Sequence, residues 1–296
     1  MEQRKKAVVA LGMFDGMHLG HRELLRRTAV LAQQLSAISV VYTFSNHPAE
    51  VLGGKVRLLT TPVERKRLMG IMGMRQVHME PFTMDLARLS PEDFLEKLNA
   101  LWRVTGTVCG FNYSFGNRGE GTPETLESLG RINGFVTEVV PPVLYDGHPV
   151  SSTRVRGAIE QGDMALANAL LARPYALSGK VVSNRRFGRR IGFPTANIDG
   201  MEDRVLPENG VYATLAQTGG SVYRAVTNVG RNPTVDGKTL TVETHLIGFD
   251  GSLYGKKLTV SFLRRLRGEV RFPSVEALKA QIEKDVENAM APDEET

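Results

Sequence analysis

Residues 12–21 of this 296-residue chain, GMFDGMHLGH, set two histidines, an aspartate and three glycines directly behind the apolar run Ala7 to Leu11. Glycines at 12, 16 and 20 let backbone approach a bound group closely, and a helix starting there would offer unpaired amides to an anion. His18 and His21 are three residues apart and project to one side if that helix begins near them. Two imidazoles over a helix N-terminus suit a triphosphate, and the combined spacing favours phosphate binding over a plain turn with capping histidines. A second stretch, VSSTRVR at 150–156, gathers hydroxyls and guanidiniums. Its plainer reading is a helix capped by Ser151 or Ser152, running to Gln161 and stopping at Gly162, which is compatible with an anion site. In a third, TLTVETHLIGF, period-two alternation puts Glu243 and His245 on one face and Val242, Thr244 and Leu246 on the other. A glutamate among β-branched residues is costly to bury without purpose, but a strand glutamate facing solvent is ordinary, and spacing alone leaves both open.

The elements that would carry these groups change character along the chain. In the first half, strands at Ala7 to Leu11, Ile38 to Phe44, Arg75 to Met79, Val104 to Cys109 and Phe135 to Val140 alternate with helical stretches near His21 to Leu35, Pro62 to Gly73, Ser90 to Trp102 and Thr122 to Asn133. Ser90-Pro91 and Thr122-Pro123 each supply a hydroxyl cap followed by proline at the first helical position. This order predicts a parallel sheet with right-handed crossovers and a ligand site beyond the first strand. From Ala176 to Phe262 short β-rich runs follow one another without helices, the pattern of an antiparallel barrel. A last helix, Ser274 to about Met290, carries Val275, Leu278, Ile282 and Val286 on one face. The expected fold is therefore α/β plus β-barrel. A Rossmann-like parallel sheet occupies residues 1–172 and an antiparallel barrel with a terminal helix residues 173–296.

Composition narrows the classes. Hydrophobic residues at 42% and charged residues at 23% are ordinary for a soluble globular protein. Cys109 is the only cysteine, which removes intrachain disulfides and cysteine-rich metal sites and favours a cytoplasmic setting. The basic N-terminal flank is followed by an apolar run broken at Asp15 and His18, and no run reaches membrane-spanning length. A net charge of +5 suits phosphorylated substrates as well as nucleic acid. The short clusters Arg185-Arg186, Arg189-Arg190 and Arg264-Arg265 read as solvated faces, and the tail DEET as a small acidic end.

GMFDGMHLGH resembles the GxFDGxHxGH signature of the nucleotidyltransferases. TFSNHP at 43–48, GFNYSFG at 110–116, VSSTRVR, GRRIGFPTANI at 188–198, NGVYA, VETHL and LYGKKLTVSFLRRLRGEVRF at 253–272 extend the likeness to the prokaryotic bifunctional riboflavin kinase/FAD synthetase family over nearly the whole chain. The resemblance implies two reactions, phosphorylation of riboflavin to FMN by ATP and adenylylation of FMN to FAD. By similarity, Gly12, Phe14, Asp15 and Gly20 belong to the nucleotide loop, and His18 and His21 hold ATP phosphates. Ser152, Thr153 and Arg156 would steady the triphosphate as pyrophosphate leaves, Asn112 would lie at a nucleotide or flavin phosphate, and Asp15 and His47 would line the same site. In the second half the resemblance makes Glu243 the general base, Thr195 and Asn197 the holders of Mg2+ with ATP, and Arg267, Glu269 and Phe272 a flavin-side loop. Gly179, Gly188 and Gly192 would form a flap over nucleotide, which is not a P-loop because no GxxxxGK[ST] occurs. The implied ligands are riboflavin, FMN, FAD and ATP, with no nucleic acid and no membrane.

The chain departs from the family pattern at Met13, where a smaller or polar residue is commoner, at Asn184, where a flap glycine is common, and in the loop NRGEGT after Gly116. None of these removes a proposed catalytic group. A single-activity relative, a nucleotidyltransferase with another phosphorylated acceptor, and a flavin-sensing or nucleic-acid-binding protein without turnover are the alternatives. The second leaves PTAN and VETHL unexplained, and no RNA-recognition signature supports the third.

Overall fold

Five of the six residues of β1 (Lys6–Leu11) are buried, because both of its faces are covered. Ala7, Val9 and Leu11 pack with Phe94, Leu98 and Leu126, while Val8 and Ala10 pack with Leu25, Leu31 and Met69. A strand buried on both faces reads as a continuous apolar run rather than an alternating one. The computed structural model describes residues 4–182, 188, 191–231 and 240–292. Two compact units divide the chain, Met1–Ser152 and Thr153–Thr296.

In the first unit β1 is joined by β2 (Ile38–Phe44), β3 (Gln76–Glu80), β4 (Arg103–Gly110) and β5 (Val136–Val140) in a parallel sheet of order β3-β2-β1-β4-β5. The order reverses between β1 and β4, so a crevice opens beyond their carboxyl ends, where ligands of open α/β sheets bind. The helices are α1 (Leu19–Gln34), α2 (Pro48–Val51), α3 (Pro62–Ile71), α4 (Met84–Ala87), α5 (Pro91–Leu101) and α6 (Pro123–Asn133). Thr61, Ser90 and Thr122 each close a capping box in front of proline. The first helix begins two residues before its expected start, because His18 caps it. Helices α2 and α4, a 3-10 turn at Asn117–Gly119 and the hairpin β6 (Leu144–Tyr145) with β7 (His148–Pro149) were not expected; each is too short to leave a periodic signal.

The chain continues through α7 (Ser152–Glu160), which stops at Gly162 (φ 73°), and α8 (Met164–Leu171), another element missing from the expectation. Then β8 (Tyr175–Val182), β9 (Ala196–Ile198), β10 (Gly210–Thr218), β11 (Ser221–Arg231), β12 (Leu240–Leu246) and β13 (Lys257–Arg267) close an antiparallel barrel in the order β10-β11-β12-β9-β8-β13. Its interior holds a chain of threonine hydroxyls, Thr214 to Thr227 at 2.8 Å and Thr227 to Thr244 at 3.0 Å, all fully buried.

The terminal helix α9 (Val275–Met290) corrects the sequence picture. Val275 is 47% exposed, and the buried positions are Ala289 and Asp285. The Asp285 carboxylate accepts hydrogen bonds from Arg267 Nε and Nη2, so an ion pair joins Val286 and Ala289, which pack on Val211, Ala213 and Val226, in fastening the helix to the barrel. Arg264 and Arg265 are likewise not a solvated cluster. The first donates to the Asn288 carbonyl and the second to the Glu208 carboxylate and the Asn209 carbonyl. Asn184, Arg185, Arg186, Arg189, Arg190 and the DEET tail lie outside the described residues.

Candidate active sites

In the first unit the loop leaving β1 is shaped from within. Gly16 (φ 85°) has no room for a Cβ, which would meet Leu59 Cδ1 at 2.6 Å. Phe14 (φ 56°) and Met17 (φ 49°) hold left-handed backbone with buried side chains, a strained conformation offset by burial. Asp15 is turned inward as well. Its carboxylate accepts from Leu59 N, Thr60 N and Thr60 Oγ1 at 2.9–3.1 Å. Gly12 makes room for the Phe14 ring, whose edge meets the His21 ring with centroids 5.3 Å apart. Phe14 and Asp15 therefore build the loop rather than offer side chains to a ligand.

What the loop presents is the histidine pair, with rings stacked at 3.7 Å. The His21 amide donates to His18 Nδ1 at 3.4 Å, which puts the proton of neutral His18 on Nε2. Nδ1 of His21 is buried without a hydrogen-bond partner. Burial, then the neighbouring His18 and Arg65, hold the His21 pKa well below the usual imidazole value. His21 is thus neutral at neutral pH rather than a fixed cation. A Cβ on Gly20 would stand 3.2 Å from His18 Cε1, so glycine keeps that side open. Ser152 Oγ donates to the Asp15 carbonyl at 2.9 Å, bringing the first residue of α7 to the loop. Asn112 follows β4 at the crevice and is exposed, while His47 follows β2 and spends its Nδ1 on the Ala49 amide, capping α2. Thr153 and Arg156 are three apart on α7 and share its face.

Sequence reasoning missed Arg65. It is fully buried on α3, while its neighbours Lys66 and Arg67 are exposed and Val63 is 75% exposed. Its guanidinium donates to the Met13 carbonyl, the Met13 sulfur and the Phe44 carbonyl at 2.9–3.2 Å, fixing the ends of β1 and β2. Met13 is thereby a tether for this arginine. No sequence signal distinguishes Arg65 from the basic residues beside it.

In the second unit β12 alternates as expected, with Val242, Thr244 and Leu246 buried and Glu243 and His245 partly exposed. Burial raises the Glu243 pKa, and its carboxylate has no hydrogen bond or ion pair among the described residues. Asn197 of β9 is its direct cross-strand neighbour. Thr195 is exposed and lines a cavity of about 390 Å³ together with Val181, Ala196, Leu246, Phe249 and Tyr254. His245 Nδ1 lies 2.9 Å from the Pro194 carbonyl and steadies the approach to Thr195. No site role was expected of the cavity wall from Phe249 to Tyr254, since a Gly-Phe-Asp-Gly loop carries no chemistry by itself.

Of the expected flap glycines, Gly179 is not in a flap. It sits within β8 opposite Leu258, and a Cβ there would meet the Asp199 carbonyl at 2.3 Å. Gly188 accepts from the Phe193 amide at 2.8 Å, and Gly192 makes a turn at φ 93°. The other flap residues, 183–187, 189 and 190, lie outside the described residues. On the expected flavin side, the Arg267 charge is committed to Asp285, though its guanidinium carbon also stands 5.6 Å from the Phe272 ring centre. Glu269 accepts from Asn209 Nδ2 at 3.3 Å.

Comparison with known proteins matches residues 1–154 to the FAD synthetase family and residues 171–292 to the riboflavin kinase family. The chain is 34% identical over 296 residues to the bifunctional riboflavin kinase/FMN adenylyltransferase of Bacillus subtilis (strain 168), spanning 98% of this chain and 93% of that protein. It is 35% identical over 294 residues to the protein of the same name from Pseudomonas fluorescens, spanning 98% and 94%. The crystal structure of a macrolide-efflux protein from Streptococcus pneumoniae superposes with a TM-score of 0.89 at 31% identity, over 98% of this chain and 94% of that one. No helix among the described residues of this chain is long and apolar enough to cross a membrane.

Proposed function

This chain belongs to the bifunctional riboflavin kinase/FMN adenylyltransferase family, and from that premise we propose that it makes FAD from riboflavin in two ATP-dependent steps, one in each half. The N-terminal domain, residues 1–172, adenylylates FMN. An oxygen of the FMN phosphate attacks the α-phosphorus of ATP, the bond to the bridging oxygen breaks, and pyrophosphate leaves. The nucleophile is already an anion, so the site needs positioning and charge complementarity rather than a base. His18 Nε2–H, His21 and the amides at the start of α1 take the phosphates. Ser152, Thr153 and Arg156 steady the departing pyrophosphate, with Asn112 and His47 lining the same site.

The C-terminal domain, residues 173–296, phosphorylates riboflavin. Glu243 takes the proton of the terminal ribityl hydroxyl as that oxygen attacks the γ-phosphorus, and ADP leaves. The observation that carries this reading is Glu243 itself, a half-buried carboxylate with a raised pKa and no partner among the described residues, next along β12 to Thr244, which lines a cavity of ligand size. The cavity takes the nucleotide. Thr195 and Asn197 would hold Mg2+, and their neutral oxygens fit an ion bound chiefly through ATP phosphates; among the described residues no cluster of three or more His, Cys, Asp or Glu suits an all-protein metal cage. When bound, the ion neutralises charge on the β- and γ-oxygens. Arg267, beside the Phe272 ring, and Glu269 form the flavin side. The lone, buried Cys109 suits a reducing cytoplasm.

Incubation of the protein with riboflavin, ATP and magnesium, with the flavins separated by chromatography over time, tests this directly. FMN followed by FAD is expected. Failure to convert riboflavin, together with failure to convert added FMN, would overturn it.

A further inference from the structure

Three residues stand in one row across the outer face of the barrel: Asn228 on β11, Glu243 on β12 and Asn197 on β9, each directly opposite the next. Residues so paired in antiparallel strands share a face, with Cβ atoms about 4.5–5.5 Å apart. The two sides of Glu243 differ. Toward β9, where Asn197 is buried, lies the cavity, lined by Thr195, Ala196 and Tyr254 and on β12 by Thr244, the residue after Glu243. On the other side Asn228 is exposed, and its carboxamide carries no hydrogen bond among the described residues. Two residues along β11, a Cβ on Gly230 would meet Glu269 Oε1 at 2.5 Å and Asn228 Nδ2 at 3.4 Å. The carboxamide and a second carboxylate therefore converge over a bare stretch of strand.

We propose that Asn228 is a positioning residue for the acceptor alcohol, hydrogen-bonding the polyhydroxyl chain so that its terminal hydroxyl meets Glu243. This rests on the reading of the second unit as a riboflavin kinase. Attacking and leaving oxygens lie roughly in line in phosphoryl transfer, so a nucleotide on the Thr195 side requires the hydroxyl to arrive from the opposite side of the base. That side is Asn228. A carboxamide both donates and accepts, as each hydroxyl of a polyol does, whereas Glu243 and Glu269 together would repel an anionic acceptor. Asn197 and Asn228 thus have separate duties, the first toward the nucleotide and the second toward the alcohol.

The test is steady-state FMN formation by wild type, Asn228→Ala and Asn228→Asp, the last keeping the shape while removing the donor. Both variants are expected to raise KM for riboflavin roughly tenfold, the worth of about one hydrogen bond, with KM for ATP unchanged. Lumiflavin, which has the ring without the polyol, should inhibit wild type and variants equally; a purely structural defect would weaken lumiflavin and ATP as well. An unchanged riboflavin KM in both variants, or a parallel rise for ATP, would overturn the assignment. Absence of FMN from the wild-type reaction would instead overturn the kinase reading beneath it.

Discussion

At the scale of single residues, Glu243 and His21 are both perturbed by burial, and the consequences run in opposite senses. The carboxylate is the working form of a general base, so FMN formation should fall on acidification at a pH above the ordinary carboxylate range. Glu243→Gln should lower FMN formation by at least about 100-fold, the usual worth of a general base, while FAD formation from added FMN persists. The same change should stabilise the fold at neutral pH, because a carboxyl with a raised folded pKa is a cost when ionised. That gain should shrink as pH falls through the folded pKa and vanish below the unfolded one, as denaturant titrations at several pH values would show. His21 is the reverse case. Its folded pKa is depressed, so the stability it permits is complete above the unfolded value near 6.5 and is lost as pH falls below it. His21→Ala should stop FAD formation, spare FMN formation and flatten the acid sensitivity of the first unit.

Elements are held in register by a few buried polar groups rather than by propensity. Arg65 joins α3 to the ends of β1 and β2, and burial lowers its pKa. Arg65→Met would remove a donor from the Phe44 carbonyl and leave the Met13 carbonyl with the Thr43 hydroxyl alone, at about 1–3 kcal/mol in all, and should loosen the nucleotide loop as well as destabilise the sheet. In the barrel the corresponding joint is Arg267 with Asp285, of which the aspartate side chain is 3% exposed. Removing one partner of a buried pair strands the other, so Asp285→Ala should cost about 3–5 kcal/mol. A shift of the denaturation midpoint of that unit measures it. The capping boxes matter less; Thr61→Ala should cost about 1 kcal/mol.

For the whole molecule, the two proposed chemistries use different residue sets, so each should work when the other is disabled. Glu243→Gln and His21→Ala proteins mixed in one vessel with riboflavin, ATP and magnesium should produce FAD, because FMN made by the second can be used by the first. Each variant alone should not. FAD from neither the mixture nor wild type would refute the adenylyl-transfer assignment, while FAD from wild type alone would show that the variants damage more than their own sites.

The amino-acid sequence determined what depends on local periodicity and on residue type at short range. The buried run of β1, the hydroxyl-proline helix starts at Ser90 and Thr122, the alternation in β12 and the turn to short antiparallel strands after Arg173 are all legible in neighbouring residues, because covering both faces of a strand, or one, leaves a mark on its composition. The histidine spacing at 18 and 21 likewise implied adjacent imidazoles, and the rings stack. Tertiary structure alone decided which charged groups are enclosed. Arg65 looks no different from Lys66, Arg264 and Arg265 looked solvated but are half-buried and bonded, and Asp285 lay on a face assigned to apolar packing; in each case the partner comes from a distant part of the chain. It also decided that Asp15 serves the loop at Leu59 and Thr60, that Gly179 serves a close strand approach, and that Asn228 stands beside Glu243. Strand register creates such neighbours between residues many positions apart, and no local pattern records it.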